Sequence, residues 1–405
     1  MSGLRLLHFT LWLVVFGYAL FVGAKITDGY RDAAHGDTPL FTDFTPTYAA
    51  SIIVRELPAE FVYMQRTMVA AGKEAARRIY GDLTDKQAGV VGFAPWMYPP
   101  TFILLVLPLA YLPYLIAWAG WLGITAVPYL LSLRRIVPDR LGLPFALAAP
   151  PAFFNVMYGQ TGFLTAGLIG SGLLLLRSRP LWAGVLIGLA SVKPHFGVLI
   201  PFALLAGGHW RAFAAASASV LALIALSVLT LGDDPWFAFI GTSLFHLEAF
   251  SVGAFALPAM VTPWAAARLA GMTVEQAWVL QSLVSALMLA IVTAVWWRGR
   301  RHAESHGLQA AVLCIATPLA LPLAFLYDLA LVVPGAAWLW ADMRRRGAGR
   351  EEYWLLAGGL AALLGAKELA KAIPVQIAPW ILTLLLGLAL YRFLSALPRD
   401  EAAAA

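Results

Sequence analysis

"LWAGVLIGLASVKPHFGVLIPFALLA" occupies residues 181–206, and by length it fits one membrane-crossing helix. Two features forbid that reading. Basic clusters flank it on both sides, "RSR" at 177–179 and "HWR" at 209–211, and short basic clusters beside apolar runs stay on one side of a membrane. "KPH" at 193–195 also cuts its middle. The stretch therefore predicts two short helices meeting at Lys193, a broken pair of the kind tolerated only where backbone lines a polar cavity.

Apolar runs recur on both sides of this break from residue 6 to residue 396, with charges confined to short clusters between them. With 61% hydrophobic and 12% charged residues, the chain falls outside the range of water-soluble globules, which average about a quarter charged. Barrel strands would alternate apolar and polar residues, and these runs do not, so the fold class is an all-α polytopic membrane protein. The excess of 28 Lys and Arg over 22 Asp and Glu raises the question of a nucleic-acid partner. The basic residues flank apolar runs, however, and so report topology instead. Cys314 is the sole cysteine, which excludes an internal disulfide and a thiolate metal site.

The clusters at 133–140, 177–179, 209–211, 298–302 and 344–350, with Arg392 and Arg399, are placed in the cytoplasm together with the N-terminus. The outer segments follow by exclusion: residues 25–100, the turn at Gly159 and Gln160, residues 232–275, the turn near Pro322, and the turn at 372–374. Leu6 to Ala24 is longer than a usual signal h-region and reads as an uncleaved anchor. The stretch from Pro100 to Arg134 is too long for one straight crossing, so it reads as a half-helix followed by one span. About twelve transmembrane helices result, at 6–24, 115–133, 142–158, 161–176, 180–192, 195–208, 211–231, 276–297, 308–322, 323–341, 353–371 and 375–395. Residues 1–405 then form a single membrane domain.

Residues 25–100 are the one long hydrophilic segment. "PTYAASIIVRELPAEF" (46–61) and "MQRTMVAAGKEAARRIYGD" (64–82) carry helix-start signals and apolar positions among charges, and they resemble amphipathic helices lying on the membrane surface. The second outer loop, 232–275, is aromatic and fits either a lipid entrance or a plain interfacial belt.

A charge near the bilayer centre costs on the order of 2.5–3.5 kcal/mol on insertion scales, so each one is a functional candidate. Lys193 suits a phosphate or another anion; its plainer role is snorkelling toward an interface. Asp328, beside Tyr327, suits a sugar hydroxyl, a pairing with Lys193, or a helix–helix hydrogen bond. Asn155, Tyr158, Gln160 and Thr161 surround an outer turn, followed by glycines suited to close helix packing. Trp96 and Tyr98 offer flat faces for sugar stacking or interfacial anchoring. Histidine–carboxylate clusters at metal-ligand spacing, P-loops and nucleophile elbows are all missing from the sequence, so no metal or other cofactor is expected and nucleotide-driven transport has no support.

"TDFTPTYAAS" (42–51), "YPPTFILLVLPLAYLP" (98–113), "GQTGFLTAGLIGSGLLLL" (159–176), "AGVLIGLASVKPHFGVLIP" (183–201) and "TPLALPLAFLYDLALVVPG" (317–335) resemble, in that order, a known family. It is the polyprenyl-phosphate-sugar-dependent membrane glycosyltransferases of the GT-C superfamily, and most closely glycosyltransferase family 87. The resemblance implies a multi-pass enzyme of the bacterial inner membrane, with cytoplasmic termini and an active site on the outer side. It would pass a sugar, typically mannose, from a polyprenyl phosphate to a lipid or glycan acceptor hydroxyl with inversion. The family's acid in the first outer loop is its general base, and Asp43 holds the matching position. Lys193 is the candidate for the donor phosphate, with Arg77 and Arg78 in reserve; Asp328, Tyr327, Gln160, Tyr98, Trp96, Tyr48 and His195 are candidates for sugar or acceptor contacts. Some members carry a histidine where this chain has "FLYD" (325–328), and a role for that histidine does not carry over.

Two other classes compete. A transporter or lipid flippase would use Lys193 and Asp328 as coupling residues, but it predicts internal repeats that the two halves do not display. A non-catalytic partner of an envelope-assembly complex would give no reason for two acids and a lysine at one outer depth.

Overall fold

The computed structural model describes residues 3–37, 42–81, 83–84, 87, 95–251 and 256–398, with backbone alone for 244–251. Leu40, Phe41, residues 92–94 and the tail Arg399, which entered the sequence reading, lie outside the described residues. Among the described residues the chain is all helical, with one isolated antiparallel bridge, Met260 to Phe325, in place of any sheet. Four helices among the described residues are long and apolar enough to cross a membrane: Gly3–Ala34, Tyr114–Ile136, Trp210–Leu231 and Val274–Gly299. Large apolar side chains along the first of them, Leu6, Phe9, Leu13, Phe16 and Leu20, are exposed, as a lipid-facing helix requires.

The other apolar runs form shorter or interrupted helices, and prolines and glycines account for the interruptions. Residues 142–158, read as one span, divide into Gly142–Ala148 and Pro150–Tyr158. Ala149 between them is extended (φ −60°, ψ 128°), because a residue preceding proline is pushed out of the helical region. Residues 323–341 likewise open with the 3-10 turn Leu326–Leu331 before Val332–Arg346. Residues 353–371 break at the 3-10 turn Leu363–Gly365, between Arg350–Ala362 and Ala366–Ala372. The break read at Lys193 is present: Pro180–Leu189 passes through 3-10 turns on both sides of Lys193 (φ −129°, ψ 74°) and resumes as Ile200–Ala206.

The first outer loop departs most from its reading. Phe44–Glu56 does not lie on a surface; Phe44, Thr45 and Thr47 to Ile53 are all buried. The helix forms a second apolar core with Phe102, Ile103, Val106, Tyr114 and Trp121. Its residues are small or β-branched on the faces that a surface helix would leave polar, so burial on nearly every side is sterically open. Gln65–Tyr80 is amphipathic, with Met68, Ala71, Ala75 and Ala76 buried and its arginines exposed.

Close backbone approach sets the central packing. A Cβ on Gly184 would sit 2.3 Å from the Ala212 carbonyl oxygen, and one on Gly188 2.6 Å from that of Ala216, so Pro180–Leu189 meets Trp210–Leu231 through glycine. Adding one methyl there forces the two helices apart, at a cost of about 1–3 kcal/mol. Gly184→Ala and Gly188→Ala are expected to lower the thermal midpoint of the detergent-solubilised protein. Gly358→Ala, where nothing lies within 4 Å, leaves it unchanged or raises it. Tryptophan-fluorescence melting of the three variants checks this.

Candidate active site

A cavity of about 620 Å³ lies where the read outer segments converge. Asp43, Trp96, Tyr98, Gln160, Lys193, His195, Tyr327 and Asp328 all line it. These residues come from separate elements, and local sequence explains how each is held.

Asp43 immediately precedes Phe44–Glu56, and its side chain makes no capping bond, so its carboxylate is not committed to the helix start. Its neighbours fix the backbone instead. The Thr42 and Thr45 hydroxyls, on either side of it, each lie 3.1 Å from the Tyr114 hydroxyl. The Phe44 ring packs edge-on against Tyr114, and Gly159 lies behind Phe44, where a Cβ would fall 2.6 Å from the Phe44 Cβ. Gly159 also has φ 65°, a left-handed conformation that ends Pro150–Tyr158 and turns the chain toward Gln160. Asp43 is thus exposed, but only among the cavity-lining groups. Loss of bulk water around it pushes its carboxyl up to about 6; Gln160, Lys367 and Lys193 oppose that rise and Asp328 adds to it.

Gln160 is oriented by two bonds to its Oε1, from the Tyr98 hydroxyl at 2.9 Å and the Thr161 N–H at 3.2 Å. That leaves its carboxamide N–H groups to donate, and the Asp43 side chain is one group they hydrogen-bond. Tyr98 is held in turn by Trp96 and Phe102, with ring centroids 5.1 and 4.4 Å away, and by its carbonyl, which accepts from the Tyr63 hydroxyl at 2.9 Å. This aromatic wall is the folded form of "PWMYPPTF" (95–102), whose prolines start Pro100–Val106.

Lys193 and Asp328 form a hydrogen-bonded ion pair, and both are buried. Lys193 also donates to Thr161 Oγ1 at 3.4 Å, and its ammonium lies 5.2 Å from the Tyr327 ring and 5.3 Å from that of Phe196. The second oxygen of Asp328 accepts the Phe325 N–H at 3.0 Å. The pair is internally satisfied, so the lysine read as a free phosphate ligand carries a charge that Asp328 already neutralises. His195 lines the cavity beside Phe196.

Three candidates lie elsewhere. Tyr48 is buried, its hydroxyl donating to the Leu112 carbonyl at 2.7 Å, and it packs against Tyr114 without reaching the cavity. Arg77 and Arg78 are exposed on Gln65–Tyr80, outside the cavity lining, and Arg78 pairs with Glu74 at 3.0 Å. Of the charged lining residues, one escaped the sequence reading: Lys367, whose Nζ donates to the Tyr158 hydroxyl at 2.7 Å. It falls within the run 353–371 read as a span, and an ionisable residue inside an apolar span was the signal for it. Among the described residues no group of three or more His, Cys, Asp or Glu is arranged to hold a metal ion.

The family model of glycosyltransferase family 87 matches residues 96–322, more than half of the chain. The matched region carries Trp96, Tyr98, Gln160, Lys193 and His195; Asp43, Asp328 and Lys367 lie outside it. No curated protein and no solved structure matches the chain.

Because the ion pair is buried, removing one member strands the other charge. Lys193→Met and Asp328→Leu are each expected to destabilise the protein by ~3–5 kcal/mol, and the double variant to recover part of that loss. A double-mutant cycle of thermal midpoints in detergent measures the coupling; strictly additive losses would contradict it.

Proposed function

The chain belongs to glycosyltransferase family 87, and from that membership we propose that its cavity transfers a sugar from a polyprenyl-phosphate donor to an acceptor hydroxyl, with Asp43 as general base. The observation that carries this reading is the Asp43 carboxylate: uncapped, exposed to the cavity, fixed by its neighbours and raised to about 6. A base poised near the working pH is largely ionised yet still basic enough to take a proton.

In the proposed reaction the acceptor oxygen attacks the anomeric carbon from the face opposite the phosphate. The new C–O bond forms as the bond to the phosphate oxygen breaks, the electron pair leaves with the phosphate, and the acceptor proton passes to Asp43. The configuration inverts. Gln160, held with its N–H groups toward the cavity, suits sugar hydroxyls, and Trp96 and Tyr98 supply an apolar face for the pyranose ring.

The polyprenyl character of the donor has support in the surroundings, since the cavity lies within a bundle whose outer helices expose large apolar side chains. Its placement on the outer side follows from the charge clusters. The cavity is lined by residues of the segments read as outer loops, whereas Arg344, Arg345 and Arg346 end Val332–Arg346, about 20 Å along the helix axis from the Asp328 turn. Twelve crossings and a bacterial plasma membrane complete the proposal, and the resemblance to mannose-transferring enzymes makes mannose the first sugar to supply.

Purified protein in nanodiscs, given radiolabelled polyprenyl-phosphate mannose and a membrane-lipid extract, is expected to form a labelled product. Intact donor across every acceptor together with measurable lipid translocation would instead favour a flippase. Asp43→Asn is expected to lower turnover by roughly 10²–10⁴-fold.

The pH dependence has a definite sign. Only the ionised carboxylate accepts the proton, so wild-type turnover should fall as pH drops through about 6. Stability runs the other way: the folded state holds this proton from about 4 to 6, where the unfolded chain has lost it, so raising the pH through that window removes stability. Asp43→Asn should accordingly leave the thermal midpoint at pH 7 unchanged or higher, while abolishing the acid limb of the rate profile.

A further inference from the structure

Among the described residues, four charged side chains line the cavity: Asp43, Lys193, Asp328 and Lys367. Two of them cancel, because Lys193 and Asp328 are paired within the wall. Of the remaining two, Lys367 has no carboxylate among the described residues within ion-pair distance. Its neighbour Glu368 is exposed and pairs with Lys371 at 2.9 Å. Among the described residues Lys367 makes one hydrogen bond, to the Tyr158 hydroxyl at 2.7 Å. An ammonium has three N–H donors, so two are left for a ligand, and the Tyr158 hydroxyl, having accepted one, retains its own proton to donate.

The lysine is held there by the fold. Ala366 and Ala370 are buried on either side of it along Ala366–Ala372. Just beyond that helix, Gln376 Nε2 donates to the carbonyls of Pro258 and Met260 at 3.0 and 2.7 Å, tying the segment to the 3-10 turn Leu257–Ala259, whose Ala259 also lines the cavity. Tyr158 is fixed against Tyr327, with ring centroids 5.9 Å apart, and stands next to the Gly159–Gln160 turn that packs on the start of the Asp43 helix. Of the charged groups acting on Asp43, Lys367 has the largest influence. Asp43 and Lys367 therefore face the same space.

We propose that Lys367 and Tyr158 form the anion subsite of this cavity, which binds the phosphate of the lipid-linked donor and stabilises the charge it gains as the sugar is transferred. This assignment rests on the glycosyl-transfer reading. A phosphodiester donor carries one negative charge; when the bond to the anomeric carbon breaks, the electron pair stays on the phosphate oxygen and the leaving monoester approaches two. The acceptor proton meanwhile goes to Asp43, so negative charge moves from the base to the phosphate. Lys367, with no carboxylate among the described residues within ion-pair distance, can answer that movement, whereas Lys193 is already neutralised. Lys193 then serves as a positioning residue that keeps the broken helix and the Asp328 turn together.

The test uses the full-length protein in nanodiscs and compares two probes, undecaprenyl phosphate and undecaprenol, by the shift each gives in thermal midpoint. Wild type and Asp43→Asn should both be stabilised more by the phosphate than by the alcohol. Lys367→Met should lose that difference and show a kcat/KM for donor lower by roughly 10²–10³-fold, with Lys367→Arg recovering part of both. Tyr158→Phe should weaken phosphate binding in the same direction and serves should Lys367→Met not fold. An unchanged phosphate preference in Lys367→Met, or none in wild type, overturns the subsite. Loss of the preference in Lys367→Met, with wild type transferring no sugar from any donor, leaves the subsite standing and removes the transfer reaction.

Discussion

The pairing of Lys193 with Asp328 is the contact on which the cavity depends. Interrupting a helix inside an apolar bundle frees backbone groups and introduces an ammonium that water does not solvate; left alone, either would collapse the opening or draw it to the surface. Asp328 meets the charge, its second oxygen takes up the Phe325 N–H, and Thr161 adds a further acceptor. Three elements are joined by these bonds: the break within 181–206, the turn that carries Asp328, and the start of Gly162–Leu175. Gly162 lets them meet, since a Cβ there would fall 2.3 Å from the Tyr327 carbonyl oxygen. The polar floor of the cavity is thereby made rigid without an unsatisfied charge.

Against that floor the first outer loop is docked as a core element. Phe44–Glu56 buries its apolar residues against the half-helix at Pro100–Val106 and the long helix that follows Pro113. Tyr114 grips the helix start through Thr42 and Thr45, and Tyr48 bonds the Leu112 carbonyl. The hydroxyls of Thr42, Thr45 and Tyr114 are thus engaged in positioning, while the Asp43 carboxylate lines the cavity beside Gln160. The separation of duties has a physical cost: a carboxyl held without a cap or a salt bridge, away from bulk water, binds its proton more tightly than a free aspartate. An enzyme that needs a base near neutrality gains from that same cost.

The charges divide in a similar way. One lysine is matched by an acid and builds structure, while Lys367 donates to the Tyr158 hydroxyl. Sequence spacing misleads here, because Lys193 stands alone in an apolar run while Lys367 has Glu368 as its immediate neighbour. Their difference lies wholly in what the tertiary fold brings beside them.

Hydropathy and charge placement alone determined a helical membrane protein, the break at Lys193, and the set of segments that line one cavity, because a bilayer imposes length and polarity on each run separately. Topology put the segments of Asp43, Gln160 and Asp328 on one side, and the family resemblance singled out Asp43 among the acids there. Partners were not legible. Lys193 and Asp328 are 135 residues apart and Lys367 and Tyr158 209, and no local pattern encodes such contacts. The exclusion of Tyr48, Arg77 and Arg78 from the cavity, and the burial of a helix that reads as surface-lying, were likewise decided by packing. Which polar group is consumed by structure and which is left for chemistry depends on neighbours in space, and only the tertiary structure supplies them.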